Sequence, residues 1–326
     1  MRKTLVVETL ATPGCIFASL VRAFHFCGRD EARDEVAMSV VVSVNLADGV
    51  ILGVDSAITL PGPPPIPGQP LPPNVMHGGV LKVYEGADKL FPLGNLPVGI
   101  ATYGTAVVGN RTVGNYIRQF VAENPNRVVK PESTLRDIAE ELHEFFSRLY
   151  KQIVVPVAEK YQGKPFDQIP VDSRPGFGFV IGGFSGGAYL SEVWQVLVPA
   201  TNEPQILRAQ GDFSSNWFAL YEPIDRYFKG FSRTLLAQLL EYFARLRGSA
   251  FSDAEQKEIA DIITSHEFII PTSAMPISVG IEFARFMVEL VINHHRYAIG
   301  GPVVGGRARV GVVTDKGTGP KFEIVE

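Results

Sequence analysis

Four residues carry the chemistry this chain could do: Ser39, Asp55, Lys89 and Gly104. Ser39 opens the run Ser39-Val-Val-Val-Ser-Val-Asn-Leu-Ala-Asp-Gly-Val-Ile-Leu-Gly-Val-Asp55, which reads as two strands joined by a tight turn and closed by an acid. Ala87-Asp-Lys-Leu-Phe91 places Lys89 at the head of a further strand, and Val98-Gly-Ile-Ala-Thr-Tyr-Gly104 ends another on glycine. A serine hydroxyl is a weak nucleophile at its free pKa and needs a base beside it. Where Ser39 is the first residue of the mature chain, its own α-amine, with a reference pKa of about 8, is such a base. Acyl transfer from an amide or peptide bond is the chemistry that this order of residues would serve.

The elements that must position them follow from periodicity and turn residues. Residues 40–45 and 50–54 are nearly continuous apolar runs around Ala47-Asp48-Gly49, the pattern of a hairpin buried on both faces. The proline-rich run 61–73 fits no interior strand or helix and is expected as a stiff surface loop, with an SH3-type ligand as the alternative. Residues 80–84, 89–93 and 98–102 read as three more strands. A helix is expected over 105–123 and a second from Ser133 as N-cap, its apolar face built from Leu135, Ile138, Ala139, Leu142, Phe145, Phe146 and Leu149. Strands resume over 177–183, 189–198 and 205–209, helices over 218–247, 253–265 and 279–296, and strands over 308–314 and 321–325. Grouped rather than alternating elements predict an α+β fold of layered antiparallel sheets flanked by helices. Residues 39–326 are expected to form one domain, with an aromatic-rich helical insertion over about 212–272 that serves either the core or a subunit contact.

Bulk properties narrow the function. The chain has 326 residues, is 46% hydrophobic and 20% charged, and carries a net charge of −4 without a Lys/Arg run. That composition suits a globular protein and supplies no electrostatic footprint for nucleic acid. Its apolar runs are too short to span a bilayer. The two cysteines, Cys15 and Cys27, both precede residue 39, so the remainder has neither a disulfide framework nor a cysteine metal site, in keeping with a reducing, cytoplasmic setting. No His/Asp/Glu cluster has ligand spacing, and no metal or organic cofactor is implied. Residues 1–38 read as a leader, a propeptide or a mis-called start. Glu8 and Pro13 interrupt any signal-peptide core, and Met38 directly before Ser39 favours translation from Met38, whose removal would free the Ser39 amine.

Taken together, the pieces resemble the proteasome β-subunit superfamily of N-terminal-nucleophile (Ntn) hydrolases, which includes bacterial proteasome-like proteins. Ser39 opening the first strand, Asp48-Gly49 in its turn, Asp55 ending the second, Thr59 four residues later, Lys89-Leu90-Phe91 and Ala101-Thr-Tyr-Gly104 carry the resemblance. It implies a four-layer αββα sandwich with Ser39 as nucleophile and Lys89 as the cation beside its hydroxyl. Asp55 would hold Lys89, and the backbone N–H of Gly104 would stabilise the oxyanion, a contribution of about 3 kcal/mol in such sites. Thr59 would align an extended peptide through main-chain hydrogen bonds, and Thr102 would line the pocket for the side chain before the scissile bond. The resemblance further implies a peptide or protein substrate, a homo-oligomer built as a ring or stacked rings, and an ATPase or unfoldase partner.

Each residue also has a plainer reading. Ser39 could simply enter a strand, Asp55 and Lys89 could be a structural ion pair, and Gly104 could cap the next helix. His294 and His295, on a helix with apolar neighbours, read as surface or core residues. Three functional readings result: a peptidase using Ser39, a small-amide acylase on the same fold, and a catalytically silent scaffold or assembly subunit. The last is favoured by Ala298-Ile-Gly-Gly-Pro-Val-Val-Gly-Gly306, which holds no acid or hydroxyl where the resemblance expects both. It is favoured also by the aromatic-rich insertion over about 212–272, while Gly211, followed by Asp212 before Ser214 and Ser215, departs from the Ser-rich turn that the resemblance expects.

Overall fold

The first two strands set the architecture. β1 (Val40–Leu46) and β2 (Gly49–Val54) are buried along their whole length, so both faces of their sheet must be covered. The computed structural model describes residues 39–61, 80–124, 129–170, 174–298, 303–314 and 321–325. The leader 1–38 and the proline-rich loop beyond Pro61 lie outside the described residues.

The chain continues through β3 (Ala57–Pro61), β4 (Val80–Glu85), β5 (Leu90–Pro92), β6 (Val98–Gly104) and a minimal hairpin of β7 (Val107–Val108) and β8 (Arg111–Thr112). Helices α1 (Val113–Glu123) and α2 (Leu135–Leu149) follow; α2 runs through a π-helical turn, Tyr150–Val154, into α3 (Val155–Gln162). Next come β9 (Phe177–Gly183), β10 (Glu192–Val198), β11 (Gln205–Arg208) and β12 (Ser215–Ala219). Helices α4 (Glu222–Lys229), α5 (Arg233–Arg247), α6 (Asp253–Ser265) and α7 (Ile277–Tyr297) precede the final strands, β13 (Arg309–Thr314) and β14 (Lys321–Val325).

Two five-stranded sheets result, ordered β12-β1-β2-β13-β14 and β11-β10-β9-β6-β5, with every paired neighbour antiparallel. The fold is mixed α+β, with antiparallel sheets and helices. One apolar cluster joins residues of the two sheets, Val41, Leu52, Val54 and Val313 meeting Leu90, Ala101 and Val180. A second packs Ile117, Phe120, Leu142 and Phe146 of α1 and α2 on Ile100, Phe179 and Ile181. A third packs Ile224, Ala284, Val288 and Val291 of α4 and α7 on Val40, Val42 and Ile51. Helix α7 lies close on β2 because glycines face it: a Cβ on Gly53 would sit 3.1 Å from Val288 Cγ2, and one on Gly280 2.6 Å from Ile51 Cδ1.

Several elements differ from the sequence expectation. The helix expected over 105–123 starts only at Val113, because Gly109, at φ +61, turns the β7–β8 hairpin first. Thr134 rather than Ser133 caps α2: its hydroxyl accepts from the Asp137 N–H while the Asp137 carboxylate accepts from the Thr134 N–H, a reciprocal capping box. The helix expected over 218–247 is a strand and two helices. β12 pairs with β1, placing Trp217 opposite Val42, and Gly230, at φ +78, ends α4 before Ser232 caps α5.

Candidate active site

Three strand ends converge. Asp55 follows β2 directly, and its buried carboxylate accepts two backbone hydrogen bonds, Oδ1 from the Val40 N–H at 3.1 Å and Oδ2 from the Ala57 N–H at 3.2 Å. Lys89, on the residue before β5, crosses from the other sheet. Its Nζ donates to Asp55 Oδ1 and to Ser39 Oγ, each at 2.8 Å. Ser39 is fixed from behind, its carbonyl accepting from the Leu220 N–H at 3.0 Å just beyond β12. Relative exposures of 3% for Ser39, 0% for Asp55 and 5% for Lys89 remove all three from water. Burying an ammonium is costly unless it is paired and hydrogen-bonded; this one has a carboxylate and a hydroxyl as its two acceptors.

The register of β5 on β6 positions two further residues. Leu90 pairs with Ala101, and the Thr102 N–H donates to the Lys89 carbonyl at 3.0 Å. Lys89 and Thr102 are therefore directly opposed, and opposed residues send their side chains off the same face; Thr102 is buried beside the lysine. Tyr103 alternates to the other face, where it stacks on Phe218. Strand alternation also points the Gly104 N–H to the edge on which the Thr102 N–H meets Lys89, while the Thr105 N–H goes to Gly176 on the opposite side. Gly104 has φ +85, and a Cβ there would lie 2.5 Å from the Gly176 carbonyl oxygen, so the position requires glycine.

Thr59 lies further out, in β3 opposite Val83, and its hydroxyl donates to the Val303 carbonyl at 3.1 Å. The segment around Gly305-Gly306, which lacks an acid, acts through its backbone instead. The Ser56 N–H donates to the Gly305 carbonyl, and Ser56 Oγ accepts from the Arg307 N–H at 2.8 Å. Gly306, at φ +73, passes so close that a Cβ would sit 2.5 Å from Ser56 Oγ. Ser56 was not singled out from the sequence; its position directly after Asp55 was the available signal. Ser214 and Ser215 are not near Ser39. The Asn45 N–H donates to the Ser214 carbonyl and Val44 pairs with Ser215, which puts them at the far end of β1, about five strand residues or ~16 Å away.

The structure thus brings Ser39, Asp55 and Lys89 into direct contact, sets Thr102 and Gly104 on the adjoining strand, and leaves Thr59 two residues beyond the Asp55-bonded Ala57. Among solved structures, the chain is similar to an Anbu Gly-1 mutant from Hyphomicrobium sp. strain MC1. That match has a TM-score of 0.42 and 11% sequence identity, over 88% of this chain and 85% of that one. It is similar also to Anbu, an ancestral beta-subunit, from Yersinia bercovieri, with a TM-score of 0.40 and 10% identity over 87% and 82% of the two chains. No protein-family model matches the chain, and no curated protein matches it. Neither likeness assigns a family.

This corrects the reading of the chain as a member of the proteasome β-subunit-like Ntn hydrolase superfamily. The short motifs behind that reading bring no family model or curated relative with them, and the structural neighbours stand at 10–11% identity with TM-scores near 0.4. The case for chemistry therefore rests on the contacts of Ser39, Asp55 and Lys89. No helix among the described residues is long and apolar enough to cross a membrane.

Proposed function

We propose that the protein hydrolyses amide or peptide bonds, with Ser39 as nucleophile. The observation that carries this is the Lys89 ammonium held between Ser39 Oγ and Asp55 Oδ1, 2.8 Å from each, out of water. An ammonium that donates to the hydroxyl is not its base. It stabilises the negative charge that develops on Oγ and lowers the proton affinity of an amine nearby. The base in this reading is the α-amine of Ser39, freed by cleavage of the Met38–Ser39 bond. Oγ attacks the acyl carbon as its proton passes to the amine, and the Gly104 N–H receives the oxyanion. The same proton then goes to the departing amine, leaving an ester on Ser39. Water adds to that ester by the reverse proton route and releases the acid. Asp55 holds and orients Lys89. Thr102 lines the pocket beside the lysine, and Thr59 guides an extended chain along β3.

The finer architecture in this proposal is a four-layer αββα sandwich, supported by the three apolar clusters. Residues 39–326 act as a single unit, with the proline-rich loop 61–73 and the 212–272 region as additions to it. A homo-oligomer completes the proposal. Leu235, Leu239, Tyr242 and Leu246 are all exposed on α5 at spacings of four, three and four residues, a stripe turned outward. A second reading, a catalytically silent assembly subunit, is favoured by that same stripe and by the absence of an acid or hydroxyl over Val303-Val-Gly-Gly306.

Covalent labelling with a β-lactone or epoxyketone, read by intact mass together with the identity of the N-terminal residue, tests the choice. The hydrolase reading expects one adduct on a chain beginning at Ser39, none in Ser39→Ala, and a strongly reduced yield in Lys89→Ala. An adduct retained in both variants refutes the assignment, and an unlabelled chain with Ser39 still in peptide linkage leaves the silent subunit. Panels of peptides and simple acyl amides would then separate peptidase from acylase.

A further inference from the structure

Helix α2 widens where it meets α3. The Val155 N–H donates to the Tyr150 carbonyl, five residues earlier, which makes Tyr150–Val154 a π turn. Leu142, Phe146, Tyr150 and Val154 are all buried, at spacings of four residues. In an α-helix that spacing drifts by about 40° at each step; the wider turn offsets the drift and keeps Val154 on the face of Tyr150. Tyr150 is carried against the start of β9, where it holds the chain on both sides of Gly176. Its hydroxyl donates to the Pro175 carbonyl at 2.7 Å, and its ring packs edge-on against Phe177 with centroids 6.0 Å apart. Phe166 meets the same ring at 5.9 Å, again edge-on. Gly176 is the residue on which the Gly104 turn leans. Its carbonyl accepts from the Thr105 N–H at 2.8 Å, Phe177 pairs with Gly104, and a Cβ on Gly104 would lie 2.5 Å from the same carbonyl oxygen. Neither glycine has a side chain to restrain it, so both are set by what they touch.

We infer that Tyr150 is a positioning residue for the Ser39 reaction: by gripping Pro175 and Phe177 it fixes the Gly176 carbonyl, and through the Thr105 hydrogen bond it fixes the direction in which the Gly104 N–H meets the oxyanion. The role rests on the hydrolase reading of that site. An oxyanion donor works only when it is aimed at the developing charge, within about 0.5 Å and 10–20° of the productive geometry. Burial pushes the Tyr150 pKa up to about 12, with Arg174 pulling the other way, so the hydroxyl keeps the proton it donates throughout the neutral range. Arg174 itself is tied to the Ile169 and Asp167 carbonyls. That second attachment lies upstream of Pro175. Removing the Tyr150 hydroxyl therefore loosens Gly176 without releasing the segment.

Tyr150→Phe removes the hydroxyl and keeps the ring, and two probes read the effect. A β-lactone is attacked at its carbonyl carbon and builds an oxyanion. A peptide vinyl sulfone takes Oγ on one alkene carbon and the proton on the next, with no carbonyl oxyanion. Tyr150→Phe is expected to lower the saturating rate of β-lactone labelling about ten-fold, with the half-saturating concentration and the vinyl sulfone rate within about two-fold of wild type. Tyr116→Phe takes a hydroxyl from the same apolar cluster and should leave both rates within about two-fold. Equal loss with the two probes would mark Tyr150 as merely structural and overturn its positioning role; an unchanged β-lactone rate would overturn it too. Amide hydrogen exchange gives a readout that needs no reaction. The Thr105 amide is expected to exchange at least about ten-fold faster in Tyr150→Phe, while the Thr102 amide, bonded to the Lys89 carbonyl, keeps its protection. Wild-type protein that reacts with neither probe would refute the hydrolase reading instead, and Thr105 exchange unmoved by the substitution would separately overturn the hold of Tyr150 on the turn.

Discussion

The Ser39 site and the α5–α6 hairpin treat water in opposite ways. At the site, three polar side chains are buried and joined to one another, and the carboxylate is also held by two backbone N–H groups. On the hairpin, α5 has no buried residue, and Leu239, Tyr242, Phe243 and Leu246 are 42–66% exposed. Leu236, Leu239, Leu240, Phe243, Phe251 and Ile259 line an open groove of about 680 Å³ there. Withdrawing charges from water is unfavourable for stability unless every one is paired, so the first region is costly to hold and has the parts of a chemical site. Leaving a row of large apolar side chains in water is unfavourable for the lone chain and is relieved by association. One region reads as chemistry and the other as contact.

The sharpest way to break that contrast is to remove the acid. Asp55→Ala leaves a buried ammonium without its counter-charge and two backbone N–H groups without their acceptor. A loss of about 3–5 kcal/mol in unfolding stability is expected, measured by urea titration, together with loss of labelling at Ser39. Stability within about 1 kcal/mol of wild type would show that the triad is wetter and looser than its contacts indicate.

The hairpin should respond in the converse way. Leu239→Glu and Leu246→Glu each place a charge on the outward stripe without uncovering a core. Unfolding stability of the isolated chain should stay within about 0.5 kcal/mol, while the particle mass from light scattering should fall to that of one chain. Undiminished assembly in the double variant would remove the hairpin as a contact and move the search to other surfaces.

How much of this could be read from residues alone differs between the two regions as well. The β1–β2 hairpin was legible because both strands are apolar throughout and Gly49 is needed at the turn, where a Cβ would come within 2.1 Å of the Val313 carbonyl oxygen. Ser39, Asp55 and Lys89 were legible as strand-end residues, and the structure joins them through their side chains. What stayed hidden depends on partners far away in sequence. No strand was expected over 215–219, whose last two residues were assigned to the helix 218–247, because Trp217 and Phe218 say nothing about β1, more than 170 residues earlier, which makes that segment a strand. Ser56 has meaning only once Gly306 and Arg307 close on it.

The smallest expected effect sharpens the contrast from the hairpin side, at the loop between α5 and α6. Ser252 and Glu255 form a capping box at the start of α6, and Arg247 at the end of α5 bonds the same glutamate at 2.8 Å. Backbone and hydroxyl hydrogen bonds from Ser252, with the Arg247 guanidinium, bring the Glu255 pKa down to about 2. A carboxylate held below its unfolded value, about 4.3, stabilises the folded form above that value and loses the contribution as pH falls toward the folded pKa. The window is therefore about pH 4.3 down to about 2. Carboxyl carbon NMR should give a Glu255 midpoint near 2, and amide exchange at Ser252 and Glu255 should accelerate across that range. Glu255→Gln keeps the shape but not the charge, and should show faster exchange at these amides already at neutral pH. An ordinary midpoint near 4.3 would mean the cap is not formed in solution. An uncapped α6 would have to be ordered by whatever covers the groove, and the contact surface would then be assembled on binding instead of presented ready-made.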